Sequence, residues 1–270
     1  MAKSRAKLGQ HFLHDRYIID KIIAHIGYDP KMNFVEIGPG KGALTIPFLS
    51  QHSKLTVIEI DQALLPKLQN MQTKFPLLSV INEDALQVDF NKFCNSDSAS
   101  MVIFSNLPYQ ISAPLMLKMR DYRGIVEKMV FMVQKEFADR IKAKAGESAY
   151  GRISVMVQSW CDIEVVLAVP PESFNPMPKV LSSVFIATMH NKYNVQYPML
   201  FEKVVATAFR HKRKYCHSSF KKHIELQDWL SLGLAQTSRP GDVTIDQYIL
   251  ITNYLYNIFG EEGNNINFTI

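Results

Sequence analysis

Cysteine is scarce in this chain. The 270 residues hold three, Cys94, Cys161 and Cys216, odd in number and far apart. That spacing argues against a disulfide framework and against a zinc site, so a reduced, cytoplasmic protein is the expectation. Long apolar runs are lacking too: none approaches the roughly 18 residues that a membrane helix needs. The basic segment 1–7 is followed by no apolar stretch, so no signal peptide is expected. There is no internal repeat and no low-complexity tract. Charged residues make up 20% against 47% apolar, which places the chain well away from disorder. Acid is absent from two stretches in particular. Residues 1–14 contain Lys3, Arg5 and Lys7 but no Asp or Glu, and residues 210–222 hold six Lys/Arg, also without an acid. A formal net charge of +5 is modest, but two acid-free basic segments make a phosphate backbone a credible partner.

What is present is an alternation. Apolar runs at 34–37, 55–60, 78–82, 101–105 and 128–133 read as buried parallel strands, separated by amphipathic stretches at 62–73, 112–120 and 135–144. Two further β-like runs, 164–169 and 182–189, flank a proline-rich loop and suggest a hairpin at the end of the sheet. The pattern predicts an open, mostly parallel α/β sheet with helices on both faces over residues 1–190. Beyond a polar linker the character changes. Stretches 199–214, 216–223, 226–232 and 245–259 look helical, which predicts a small all-helical domain over 195–270, with a frayed tail from residue 260.

Function is concentrated at the ends of the predicted strands. The first is followed by Glu36-Ile37-Gly38-Pro39-Gly40-Lys41-Gly42, a turn whose glycines let a ligand approach the backbone closely. The second ends in Glu59, twenty-one positions past Gly38, where an acid binds ribose hydroxyls. Asp84 follows the third, placed to accept from an adenine amine. Gly38, Gly40 and Ala43 also satisfy a dinucleotide-binding pattern, so the loop alone leaves a nicotinamide cofactor open. Carboxylates in succession, with Glu36 ahead of the glycines, favour a cationic ligand, S-adenosylmethionine, over a pyrophosphate. The fourth strand closes on Asn106-Leu107-Pro108-Tyr109. An amide oxygen and a turn carbonyl accept from an exocyclic amine, the tyrosine ring offers a stacking face, and the proline stiffens the turn.

Together these segments resemble the small-subunit ribosomal RNA adenine dimethyltransferases of the KsgA type, along essentially the whole chain. The resemblance runs through Lys7-Leu8-Gly9-Gln10-His11-Phe12-Leu13, the glycine turn, Glu59, Asp84 and the Asn106–Ser112 segment. It continues through Ala149-Tyr150-Gly151-Arg152, the loop from Phe174 to Val180, and the basic stretch 209–214. It implies a Rossmann-like class I methyltransferase domain with a small helical domain. Its implied reaction is S-adenosylmethionine-dependent dimethylation of N6 on two adjacent adenosines, in a hairpin loop near the 3′ end of 16S rRNA, in an immature small subunit. His11, Leu13, Gly38, Glu59, Asp84 and Asn106 would hold the cofactor. Asn106, Leu107, Pro108 and Tyr109, with Phe174, would hold the flipped adenine, and Lys3, Arg5, Lys7, Arg210, Lys212, Arg213 and Lys214 the RNA. The sequence is silent on oligomeric state, so a monomer is the default expectation, and no metal is expected. The chain departs from the family at His11, where asparagine is common, at Gln110, and at Asn175 and Met177. Its rivals are the large-subunit methyltransferase of macrolide resistance, a nicotinamide oxidoreductase, and a non-catalytic assembly factor on the same fold.

Overall fold

The computed structural model describes residues 11–52, 54–94 and 100–265. In chain order the elements are β1 (Phe12–Leu13), α1 (Arg16–Ile26), β2 (Asn33–Ile37), α2 (Thr45–Gln51), β3 (Leu55–Ile58), α3 (Leu65–Gln72), β4 (Leu78–Ile81), β5 (Met101–Asn106), α4 (Ser112–Met119), β6 (Val126–Gln134), α5 (Lys135–Lys142), α6 (Arg152–Gln158), β7 (Cys161–Val169), β8 (Phe174–Asn175), β9 (Ser182–Met189), α7 (Pro198–Arg210), α8 (Leu226–Ser231) and α9 (Ile245–Phe259). They form two compact units. The first takes residues up to Ala138 and Asp162–Met189, the second Asp139–Cys161 and His190–Ile270.

In the first unit seven strands form one sheet in the order β4-β3-β2-β5-β6-β9-β7. The five strands from β4 to β6 run parallel, and β9 is antiparallel to β6. Every residue of β2 is buried, as expected of a strand covered on both faces. The expected terminal hairpin is present as the neighbours β9 and β7, but the connection carries β8, which pairs with β1 as a separate two-stranded sheet. Helix α1 shows how sequence makes these elements. The Asp15 side chain accepts from the backbone N–H groups of Tyr17 and Ile18, capping the helix, and Gly27 ends it at φ 68°. Between them Ile18, Ile19, Ile22, Ile23 and Ile26 bury one face, each contributing about 1.5–3 kcal/mol. They pack with Phe34, Phe48 and Phe104 in the core.

The second unit is helical. Its core includes Trp160, Phe201, Phe220, Trp229 and Tyr248, all buried. Residues 139–161 join it through side chains that satisfy backbone carbonyls. Gln158 donates to the carbonyls of Ile141 and Ala143, and Tyr150 Oη donates to that of Val243. Helix α6, in this segment, is absent from the sequence reading. The stretch 216–223 is not an α-helix: a 3₁₀ turn spans Cys216–Ser219, and turns follow it. Helix α7 stops at Arg210, ahead of the dense run of like charge at 210–214. In α9, Thr244 and Gln247 form a reciprocal capping box. Past it, Gly260–Asn265 is 3₁₀ rather than frayed. No helix among the described residues is long and apolar enough to cross a membrane.

Candidate active site

A cavity opens at the C-terminal edge of the parallel strands, lined by residues 11–13, 36–41, 58–60, 83–85 and 106–111 among others. Four neighbouring strands deliver its polar groups. Asp84 follows β4, Glu59 follows β3, Gly38 follows β2, and Asn106 ends β5. Topology makes this edge the ligand site of an open sheet, because the loops leaving adjacent parallel strands diverge there.

The glycine turn is built by the sheet. Gly38 N–H donates to the Ile58 carbonyl at 2.8 Å and Glu59 N–H to that of Ile81 at 2.9 Å, extending the ladder past the strand ends. Gly38 has φ +63° and no heavy atom within 4 Å of where a Cβ would stand, so the backbone is open on the cavity side. Gly42, at φ +87°, is in a conformation that strains any other residue, and a Cβ there would lie 2.7 Å from Met71 Cε, which would have to move aside.

The carboxylates differ in their surroundings. Glu36 is 2% exposed and accepts from Thr45 Oγ1 at 2.6 Å. Burial pushes its pKa up to about 8, opposed by the Thr45 bond and helped by nearby Glu59. Glu59 accepts from Asp61 N–H at 2.9 Å through Oε1 and from Gly40 N–H at 3.2 Å through Oε2. Burial raises its pKa, and these backbone donors oppose the rise. Both oxygens keep a lone pair for ligand hydroxyls. Asp84 uses Oδ1 to accept from Leu86 N–H at 2.9 Å.

Asn106 is oriented by the chain's N-terminal strap. Its Nδ2 donates to the His11 carbonyl at 3.2 Å, which commits the amine end and turns Oδ1 toward an incoming donor. Leu107 N–H donates to the Met132 carbonyl at 3.0 Å, and the Pro108 carbonyl accepts from Ile111 N–H at 3.1 Å, so the turn is tied to β6 and α4. Among the described residues no hydrogen bond occupies Asn106 Oδ1 or the Leu107 carbonyl.

His11 and Leu13 border the cavity. His11 Nδ1 pairs with the Pro176 carbonyl at 2.7 Å, which makes Nδ1 the protonated nitrogen, and its ring stands 6.2 Å from that of Tyr109 at 29°. Phe174 does not join Tyr109 at the cavity wall. Its strand pairs Leu13 with Phe174 and Phe12 with Asn175, and alternation sends Phe174 into the core, 4% exposed, while Asn175 is exposed. Arg210, Lys212, Arg213 and Lys214 lie in the second unit, all exposed, with Lys212 Nζ on the Ser148 carbonyl at 2.9 Å. Lys3, Arg5 and Lys7 fall outside the described residues.

Two contributors are missed by sequence reasoning. Thr45 lies nine positions past Glu36, and only the fold of the turn brings them together. Ile60 is 55% exposed at the cavity edge, beside Glu59; an apolar residue just past a buried strand's end carries no distinct signal. No cluster of metal-binding side chains occurs among the described residues.

The family described as ribosomal RNA adenine dimethylase matches residues 1–257. The ribosomal RNA small subunit methyltransferase A of Aeromonas hydrophila is 39% identical, covering 93% of this chain and 94% of its own. That of a Marinomonas species is 38% identical over 94% and 96%. Among solved structures, a dimethyladenosine transferase from Plasmodium falciparum superposes with a TM-score of 0.75 at 26% identity, covering 96% of this chain and all of that one. The 23S rRNA methyltransferase ErmE shares the fold, with a TM-score of 0.69 at 22% identity over 90% and 98%.

Proposed function

The chain belongs to the ribosomal RNA adenine dimethylase family, and from that premise we propose that it dimethylates N6 of two adjacent adenosines in small-subunit ribosomal RNA. The adenosines lie in a hairpin loop near the 3′ end of 16S rRNA, in an immature subunit, and the enzyme works as a cytoplasmic monomer. The observation that carries the reading is the pair of unoccupied acceptors, Asn106 Oδ1 and the Leu107 carbonyl, at one end of a cavity whose other walls bear Glu36, Glu59 and Asp84.

The residues fit S-adenosylmethionine. Gly38 would offer an open backbone to the methionine end, Glu59 has lone pairs for the ribose hydroxyls, and Asp84, whose Oδ1 accepts from Leu86 N–H, would accept from the adenine amine through Oδ2. The cofactor supplies a methyl group on a sulfonium, electrophilic enough to need no metal. This chain's task is to prepare the nucleophile. An adenine amine is a weak one because its lone pair is delocalised into the ring. In the first transfer the two N–H groups would donate to Asn106 Oδ1 and the Leu107 carbonyl, which favours a pyramidal nitrogen and exposes the lone pair. In the second the single remaining N–H would donate to one of them. In each, the proton leaves after the N–C bond has formed and the S–C bond has broken. The rate then comes from positioning, with the reacting atoms about 3–3.5 Å apart. Tyr109 supplies the stacking face that offsets part of the few kcal/mol that flipping a base costs. Arg210, Lys212, Arg213 and Lys214 hold phosphates, and the folded RNA supplies specificity.

The test is transfer of labelled methyl groups from S-adenosylmethionine to immature small subunits that lack the modification, followed by nucleoside analysis. N6,N6-dimethyladenosine is the expected product. Cofactor binding without transfer would remove the catalytic reading and leave the assembly factor.

A further inference from the structure

The loop that presents Asp84 is held from behind by a cation. Lys118, near the end of α4, donates from Nζ to the carbonyls of Leu86 at 2.8 Å and Val88 at 2.5 Å. The same Nζ stands 5.5 Å from the centre of the Phe90 ring and 5.8 Å from that of Tyr122, and the Tyr122 hydroxyl reaches the Val88 carbonyl at 3.5 Å. The remaining groups of the loop close on Asp84 itself. Its Oδ1 accepts from Leu86 N–H, and its carbonyl accepts from the N–H groups of Gln87 at 2.7 Å and Val88 at 3.1 Å.

The loop is therefore tied at both ends, by the carboxylate proposed to read the cofactor and by an ammonium group. Lys118 is partly buried, and burial lowers its pKa. The carboxylates of Asp84, Asp89, Glu83 and Asp121 favour its charged form. An apolar side chain here would strip the Leu86 carbonyl of its donor and leave the Val88 carbonyl only the long contact from the Tyr122 hydroxyl. The place of α4 adds to the argument. Its first residue, Ser112, follows the Asn106–Tyr109 turn closely, and its last turn carries Lys118. One short helix thus braces the turn that holds the target amine and the loop that holds the cofactor's base.

We propose that Lys118 is a positioning residue for the cofactor, fixing the loop from Asp84 to Val88 so that the Asp84 carboxylate meets the adenine amine of S-adenosylmethionine. The inference rests on Asp84 as the acceptor of that amine, and the experiment separates the two. Calorimetry would measure binding of S-adenosylhomocysteine and of S-inosylhomocysteine, its counterpart with the amine replaced by oxygen, to the wild-type chain, K118M and K118Q. The wild type is expected to prefer the amine-bearing ligand by about tenfold or more, the ratio that a hydrogen bond to a charged acceptor carries. K118M should lose most of that preference while binding the inosyl ligand within about threefold of wild type. K118Q, which keeps an N–H donor on a shorter stem, should fall between them. A preference undiminished in K118M overturns the proposal, and so does an equal loss for both ligands, which marks general destabilisation. If K118M does not fold, K118Q decides by the same criteria. No preference in the wild type removes the Asp84 reading and this one with it.

Discussion

Replacing Glu36 with glutamine is expected to make the cofactor-free enzyme more stable at neutral and alkaline pH, and the magnitude follows from burial. The carboxyl is 2% exposed, and burial raises its pKa to about 8 against the usual 4.5. In the native state Glu36 thus keeps a proton through the neutral range that the unfolded chain releases near the ordinary value. The native state binds more protons, so stability falls as pH rises from about 4.5 towards about 8 and levels off above. At about 1.4 kcal/mol per pH unit the full loss is roughly 5 kcal/mol. Glutamine does not ionise, so E36Q lacks this slope; groups distant from Glu36 cancel in the comparison, and Glu59, coupled to Glu36 by charge, makes the smaller remaining contribution. Urea unfolding of both proteins at about pH 5.5, 6.5 and 7.5 should show the gap in favour of E36Q widening by roughly 3 kcal/mol. Parallel pH profiles would mean that Glu36 is already ionised when buried, and would refute the argument. A positive charge in the cavity favours the carboxylate, so cofactor binding should release more protons in the wild type than in E36Q, where Glu59 alone of the two raised carboxyls remains.

Three further outcomes are expected. Asn106→Ala should lower kcat by about 10²–10³ with a much smaller loss of cofactor affinity, measured by single-turnover methyl transfer and calorimetry, because it removes an acceptor of the target amine as well as a contact to the His11 strap beside the cofactor; near-normal turnover would sink the positioning mechanism. Tyr109→Ala should cost roughly 1–3 kcal/mol in kcat/KM as a lost stacking face, and Tyr109→Phe should cost far less; equal losses would assign the role to the hydroxyl. Converting Arg210, Arg213 and Lys214 together to alanine should weaken RNA binding and flatten the dependence of log K on log salt by about 0.7–0.9 per lost phosphate contact, in a salt titration by filter binding. An unchanged slope would place the RNA elsewhere.

Much of the fold is local and was legible. Strands buried on both faces must be nearly continuous in apolar residues, so β2, β3, β5 and β6 stand out in the sequence. Helix α4 falls within the stretch read at 112–120 and α9 on that at 245–259, because periodicity acts within a few residues. The stretch 216–223 was misread for the same reason: its periodicity suits a helix, but packing of Cys216, Phe220 and Trp229 in the core sets the backbone instead. Helix α6, seven residues long, was not read, although the six-residue α8 falls within the stretch read at 226–232.

The sequence by itself determined which chemistry is possible. Gly38, Glu59, Asp84 and Asn106 stand at or just past the ends of four strands, and parallel strands bring such positions to one edge. What only the tertiary structure decided are the pairings between segments distant along the chain. His11 turns the Asn106 amide across 95 positions, and Thr45 meets Glu36 inside the core. Phe174 is drawn inward by the pairing of β8 with β1, away from the cavity that Tyr109 lines. Lys118 reaches Leu86 across 32 positions. Such contacts depend on which surfaces the folded sheet leaves facing one another, and no property of the residues taken singly encodes that.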